Sequence, residues 1–241
     1  MLINKKTKNT KKSFFSIKAY GKGKYFKEYY DLINSFIVKE RITSILDIGC
    51  ASGFFFNYLT RDIKCVGLDI NKSLIIKANK ENSNKNIIFK QIDLFGKHTK
   101  IGPMITKHKL GGFDLVTILG TLGLLPDYIQ AISRIAQLKP KKIIIHTLLN
   151  SHLDLKINYK INLQDKERMA YNIPSIKNIS KLFKKFNYET KFIPYIVKKT
   201  LNKNKKEPFR NHHIKLKNGK KILTNAMGMI HTEFLIIASL K

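Results

Sequence analysis

Cysteine occurs only twice, at Cys50 and Cys65, with no CxxC pair. That excludes a disulfide framework and a cysteine-rich zinc module, and fits a reducing, cytoplasmic setting. Long hydrophobic runs are also missing. None reaches the ~18 to 20 apolar residues of a membrane span, and the longest, at 143–149 and 234–240, have the length of strands. The amino-terminal lysines are not followed by an apolar core, because SFFSIKAYGKGKY is interrupted by charge, so no secretory leader is expected. Acids are few, 16 against 46 Lys and Arg, which leaves a formal charge of +30. Within that excess arginine is rare, with five residues. Arginine is the preferred residue for planar recognition of phosphates and bases, so its rarity weakens a nucleic-acid reading of the charge. The accompanying wealth of lysine, asparagine and isoleucine matches the bias of an A/T-rich coding sequence. A polyanionic partner such as RNA, a nucleotide-linked sugar or an anionic surface is the alternative.

What is present points to one globular unit. The chain has 241 residues, 43% of them hydrophobic, enough for one α/β domain with its own core. Residues 1–27 hold nine lysines and no acid, so residues 1–24 are expected to form a basic arm ahead of a single domain over 25–241. Apolar residues at helical spacing predict an amphipathic helix over 25–40. Short Val/Ile/Leu strands then alternate with helices: strands at 42–48, 64–70, 86–92, 113–119 and 142–148, helices at 53–60, 72–81 and 127–138. Such alternation predicts a Rossmann-like α/β fold, its mostly parallel sheet covered by helices on both faces. Ser175 is placed to cap a further helix, and strands are expected at 189–197 and 233–239. Between them, Asn218-Gly219 predicts a β-hairpin inside an insertion over 198–230.

The stretch LDIGCASG, at 46–53, sets a carboxylate and a glycine turn at the end of the first strand. Ligands of open parallel sheets bind beyond the carboxyl ends of the strands. Gly49 permits a tight turn and close approach of a ligand, and Gly53 opens a helix whose free N–H groups favour an acidic group. A dinucleotide fingerprint needs GxGxxG to cradle a pyrophosphate. Here the order is DxGxxxG, with Ala51 where the middle glycine of such a fingerprint would stand, and Asp47 sits where a pyrophosphate would be repelled. A cofactor with an ammonium group and no phosphate, such as S-adenosylmethionine, suits that acid. Asp69 ends the second strand, where a carboxylate can accept from both ribose hydroxyls. Asp93 ends the third, suited to the adenine amine, with the Leu94 N–H near the ring nitrogen. Three acids at the tips of three consecutive strands make the pattern specific.

These segments resemble the class I S-adenosylmethionine-dependent methyltransferases. LDIGCASG is similar to their first motif, VGLDI to the second, QIDLF to the third and FDLVTILGTLGLLPD to the fourth, across residues 40–150. The resemblance implies a seven-stranded sheet of order 3-2-1-4-5-7-6 with an antiparallel last strand beside strand five. The candidate cofactor-binding set is Asp47, Gly49, Cys50, Gly53, Asp69, Ile70, Asp93 and Leu94. The run RMAYNIPSIKNISKLF, with the carboxyl-terminal segment, is similar to a loose group of bacterial small-molecule methyltransferases, some linked to sugar or glycan pathways.

Methyl transfer from a sulfonium needs alignment and exclusion of water, and needs a base only when the acceptor must lose a proton. No catalytic residue is assigned from sequence. His146, at the end of strand five, is a candidate base, and Tyr171 and His231 are weaker ones. His212–His213 lacks metal-site spacing, and Asp154, Asp165 and Glu167 have nothing to fix their geometry, so no metal is expected. The fourth strand has no Asn/Asp-Pro-Pro-aromatic clamp for a planar nitrogen. The expected activity is therefore methylation of a small molecule, a saccharide or other metabolite hydroxyl. The alternatives are an RNA methyltransferase using the lysine-rich surface, a protein that binds the cofactor without turnover, and an NAD oxidoreductase.

Overall fold

The computed structural model describes residues 27–60, 62–82, 86–94, 101–125, 127–160, 168–195, 200–202, 212–224 and 232–241. The basic arm and His231 lie outside the described residues. Helix α1 spans Lys27–Lys39, and its Tyr29, Tyr30, Ile33 and Ile37 are buried at the spacing that the sequence shows. Strand β1 follows at Ser44–Ile48, then a short 3-10 turn at Phe54–Tyr58. After that come β2 (Lys64–Asp69), α2 (Lys72–Glu81), β3 (Ile87–Gln91), α3 (Ile101–His108) and β4 (Leu115–Leu119). A 3-10 turn at Leu122–Leu124 leads to α4 (Tyr128–Ala136) and β5 (Lys142–Leu149). Then follow β6 (Leu155–Lys160), β7 (Arg168–Ile173), α5 (Ile176–Lys185), β8 (Tyr188–Tyr195), β9 (His212–Lys215), β10 (Lys221–Thr224) and β11 (Thr232–Leu240).

Seven strands form one sheet in the order β3-β2-β1-β4-β5-β11-β8, which is the 3-2-1-4-5-7-6 arrangement expected from the resemblance. The pairs among β1 to β5 are parallel, and β11 runs antiparallel to both β5 and β8. Side chains alternate between two layers. One layer packs Leu46, Val116 and Ile145 against α4 and α5, through Ile132, Ile135, Ile179 and Phe183. The other packs Ile45, Leu115 and Ile144 against α1, the first 3-10 turn and α2, through Tyr29, Ile33, Phe55 and Ile75.

Helix starts follow their capping residues. Asp127 accepts the Ile129 and Gln130 N–H groups at 2.9 and 3.0 Å, Asn71 does the same for Ser73 and Leu74, and Ser175 accepts from Asn178. The hairpin at Asn218-Gly219 is present as β9 and β10, with Gly219 at φ 81°. Two elements were not foreseen, α3 and a second hairpin formed by β6 and β7. One expectation is corrected. The segment at 53–60 is not an α-helix but five 3-10 residues, because Gly53 itself is left-handed at φ 73°. So short a turn carries little of the helix-terminus field expected there.

Candidate functional site

The acid-and-glycine turn stands at the carboxyl end of β1, in the middle of the sheet. Gly49 and Cys50 both donate N–H bonds to the Leu68 carbonyl, at 2.8 and 3.0 Å, tying the turn to β2. Ala51 is left-handed at φ 49°, a conformation that costs a non-glycine residue about 1–2 kcal/mol. In that conformation its N–H donates to Asp69 Oδ2 at 2.9 Å. Asp69 Oδ1 accepts the Asn71 N–H at 2.7 Å. The carboxylate thus braces the turn and the start of α2, and each oxygen keeps lone-pair capacity for a further donor. Burial raises the Asp69 pKa, and the Asn71 and Ala51 amides offset part of that rise.

Gly49 and Gly53 are needed for reasons the sequence leaves hidden. A Cβ on Gly49 would come within 2.3 Å of Thr121 Oγ1, and one on Gly53 within 2.4 Å of the Phe89 ring. The close approach at Gly49 is therefore to the tip of β4. Thr121, on the loop that follows β4, adjoins the candidate site, a placement that the sequence pattern did not flag.

The eight candidate residues do not share one exposed rim. Asp69 is half-buried at the tip of β2, Ile70 beside it is 60% exposed, and Asp93 is exposed beyond β3. Leu94 is buried, and its carbonyl accepts from Arg134 Nη1 at 2.6 Å, which ties the end of β3 to α4. Asp47 lies below this edge, 3% exposed, on the face that α1 covers. Its Oδ1 accepts from the Thr117 hydroxyl at 2.6 Å. Burial pushes its pKa up to about 7; the Thr117 bond works against the shift and neighbouring Asp69 adds to it. Among the described residues no cation stands at ion-pair distance from Asp47. Cys50 is buried behind the turn, and burial raises its thiol pKa well above the ordinary value. Ser52, 2% exposed, has no hydrogen-bond partner for its hydroxyl among the described residues.

Beyond β4 the edge is walled by the β6–β7 hairpin. Asn172 donates to the Leu125 carbonyl, and Tyr171 packs over Gly123. Asp154 secures the base of the hairpin, accepting from the Tyr128 hydroxyl and from the Ser175 N–H at 2.6 Å. That capping work leaves Asp154 in a structural position; Asp165 and Glu167 lie outside the described residues. In the β9–β10 hairpin, His213 Nδ1 accepts the Leu201 N–H at 3.0 Å and His212 is buried. No helix among the described residues is long and apolar enough to cross a membrane.

His146 is buried, 5% exposed, on the α1 side of β5. Tyr29 stacks on its ring at 4.3 Å and 22°, and Tyr195 meets it edge-on at 5.7 Å. Its Nε2 stands 3.3 Å from Glu233 Oε2. Tyr29 is hydrogen-bonded to Tyr30, and Tyr30 lies in the field of Asp47, so a polar strip runs under α1 from Asp47 to Glu233. Tyr29, Tyr30 and Glu233 were not singled out from sequence. The available signal was a pair of tyrosines on the core face of an otherwise aliphatic helix.

Residues 20–191 match a family described as "Methyltransferase domain". The chain belongs to this family. It is a class I S-adenosylmethionine-dependent methyltransferase, in agreement with the motif reading. No curated protein matches the methyltransferase. Among solved structures, the N-terminal domain of EvdMO1 with SAH bound has a TM-score of 0.58 at 12% identity, covering 88% of this chain and 81% of that one. The Burkholderia thailandensis 1,6-didemethyltoxoflavin-N1-methyltransferase has a TM-score of 0.57 at 10% identity, covering 98% and 87%. The sugar N-methyltransferase KedS8 from Streptoalloteichus has a TM-score of 0.53 at 14% identity, covering 74% and 86%. These likenesses are ones of fold.

Proposed function

We propose that this methyltransferase acts on a small molecule, a saccharide or other metabolite hydroxyl, and holds S-adenosylmethionine along the β3-β2-β1 edge. The carrying observation is the carboxylate sequence across three neighbouring strands, with an exposed apolar side chain, Ile70, between Asp69 and Asp93. Apolar surface flanked by acceptors complements a nucleoside, whose base is flat and whose ribose presents two hydroxyl donors. Asp69 has lone pairs for those hydroxyls, Asp93 and the Leu94 N–H flank the adenine, and Ile70 covers its face. The turn of Gly49, Cys50 and Gly53 bounds the methionine tail. Asp47 is a buried carboxyl with no cation beside it among the described residues, and an ammonium group would relieve that cost. The Ser52 hydroxyl is a second unsatisfied group in the same turn. The cofactor, when bound, supplies a methyl carbon already activated by the positive sulfur. The protein aligns an acceptor beyond β4 and excludes water there.

The small-molecule reading, though not the choice of a hydroxyl, draws support from solved structures of like fold whose names include a sugar N-methyltransferase and a 1,6-didemethyltoxoflavin-N1-methyltransferase. Purified protein incubated with labelled donor and, separately, with small-metabolite and RNA fractions tests it. Label in the metabolite fraction is the expected outcome. Label confined to RNA, with a steep salt dependence of RNA binding, would transfer the lysine-rich surface from composition to function.

A further inference from the structure

We infer that His146 is the general base of this methyltransferase and that Glu233 positions it, an inference that rests on the hydroxyl-acceptor reading above. The first observation is place. His146 pairs with Leu119 of β4 and Leu235 of β11, and its carbonyl accepts the Gly120 N–H at 2.9 Å. The next residue after Gly120 is Thr121, which occupies the space beside Gly49. The imidazole is thus carried by the backbone that closes the tip of β4, two strands or about 10 Å from β1. With the nucleoside over β2 and β3 and the amino group at β1, the side left for an acceptor is the β4–β5 side.

The second observation is how the ring is held. Tyr29 stacks on one face, Tyr195 meets an edge, and Glu233 stands 3.3 Å from Nε2. Nδ1 and Nε2 are both buried, and neither makes a hydrogen bond among the described residues. The Glu233 carboxylate 3.3 Å from Nε2 makes no hydrogen bond to it but favours the ring proton there by charge, which leaves the lone pair on Nδ1. Leaving a buried acceptor unsatisfied is costly, and a histidine retained only to join β5 to β11 gains nothing from it. A ring fixed on three sides with a free lone pair is a preorganised base. One face of the ring is covered by Tyr29 from the first turn of α1.

In the step itself, the hydroxyl proton passes to His146 Nδ1 while the oxygen forms its bond to the methyl carbon. The carbon–sulfur bond breaks, and its electron pair stays on sulfur as a neutral thioether. The imidazolium is balanced by Glu233 and returns its proton to water. Among the described residues, the titratable groups facing the ring are Tyr29 from α1, Tyr195 from β8 and Glu233 from β11, with Asp47 of β1 further along the strip.

The test has two parts. Two-bond nitrogen–proton spectra of the full-length protein, with the His146 signals assigned by their loss in H146N, are recorded between about pH 6 and 9. A neutral ring protonated on Nε2 at the alkaline end, with mixed tautomers in E233Q, is expected. A ring protonated on Nδ1, or doubly protonated up to the highest pH, overturns the assignment. In parallel, H146N is compared with wild type using phenol, methyl glucoside and 4-nitrophenol as acceptor probes. Transfer to the first two should fall by about a hundredfold or more, with loss of the acidic limb of the pH profile. Transfer to 4-nitrophenol, already ionised in mildly alkaline buffer, should change little, and an equal loss on all three probes would mean a structural role. Should wild type methylate none of these, the tautomer measurement alone decides. S-adenosylhomocysteine binding by calorimetry separates the two claims. If it is absent in wild type the cofactor reading fails, whereas unchanged affinity in H146N leaves the base assignment to stand or fall by itself.

Discussion

The two faces of the central sheet are built from neighbouring residues of the same strands, yet they differ in kind. Toward α4 and α5, β1 presents Leu46 and Ile48, β4 presents Val116 and Ile118, and β5 presents Ile143 and Ile145, all buried and apolar. Toward α1, the same strands interpose Asp47, Thr117 and His146 among their aliphatic residues, and β11 adds Glu233. A buried polar group costs free energy unless it is paired. The first face is therefore a stabilising layer, and the second gives up stability to carry the buried polar groups of the candidate site. In a strand with period two, one residue of register decides which kind a side chain becomes.

Mutations can set the faces against each other. The largest expected effect is on the apolar face: Phe183→Ala, at a fully buried side chain, should lose about 3–5 kcal/mol of stability while cofactor affinity in the folded fraction is unchanged. Denaturant unfolding and calorimetry read the two quantities separately. Next, Asp69→Ala should weaken S-adenosylhomocysteine binding roughly ten- to hundredfold, the equivalent of about 1.5–3 kcal/mol, as charge-assisted bonds are lost. Unchanged affinity would show that the ribose is held elsewhere.

Asp47 sharpens the contrast by sign. Its folded pKa, about 7, lies above the ordinary carboxyl value, so the unfolded chain gives up this proton at lower pH than the folded one. Its contribution to stability is therefore greatest at low pH and is lost as pH rises toward 7. Asp47→Asn should raise the melting temperature of the unliganded protein at neutral pH. Cofactor binding runs the other way, since the ammonium needs the ionised acid. Affinity should fall about tenfold between pH 8 and 6 in wild type and lose this dependence in the variant. A titration at several pH values that shows no difference between the two proteins would remove Asp47 from the site. The smallest effect belongs outside both faces. Lys141→Ala removes an exposed partner 2.8 Å from Asp114, whose carboxyl still accepts from Thr43 N and Oγ1, and should cost below about 1 kcal/mol by thermal unfolding.

The sheet was legible because buried parallel strands are written as short unbroken aliphatic runs, and the order followed from the motif resemblance. The Asn218-Gly219 hairpin was legible because its turn demands those residues. The β6–β7 hairpin was not, since Leu155–Lys160 and Arg168–Ile173 have no such dipeptide between them and mix charge with strand formers. Helix α3 is short, and no capping residue announces it. In the candidate site, the positions of Asp69 and the glycines at the strand ends followed from spacing alone. What spacing could not convey is depth: Asp47 and Asp69 are equivalent strand-end acids in the sequence, yet only one stands at the edge. Nor could it bring Thr121 to Gly49, His146 to Tyr29, or Glu233 to His146, pairs separated by many residues and joined only by strand order and register.

The hydroxyl of Thr121, seated where Gly49 has no side chain, makes the β4 loop and the glycine turn a single fitted joint. Any attempt to redirect this enzyme by transplanting loops beyond β4 must carry a residue of matching bulk at position 121. A larger one would prise the turn apart, and a smaller one would leave it loose, so altered selectivity would come at the expense of donor affinity.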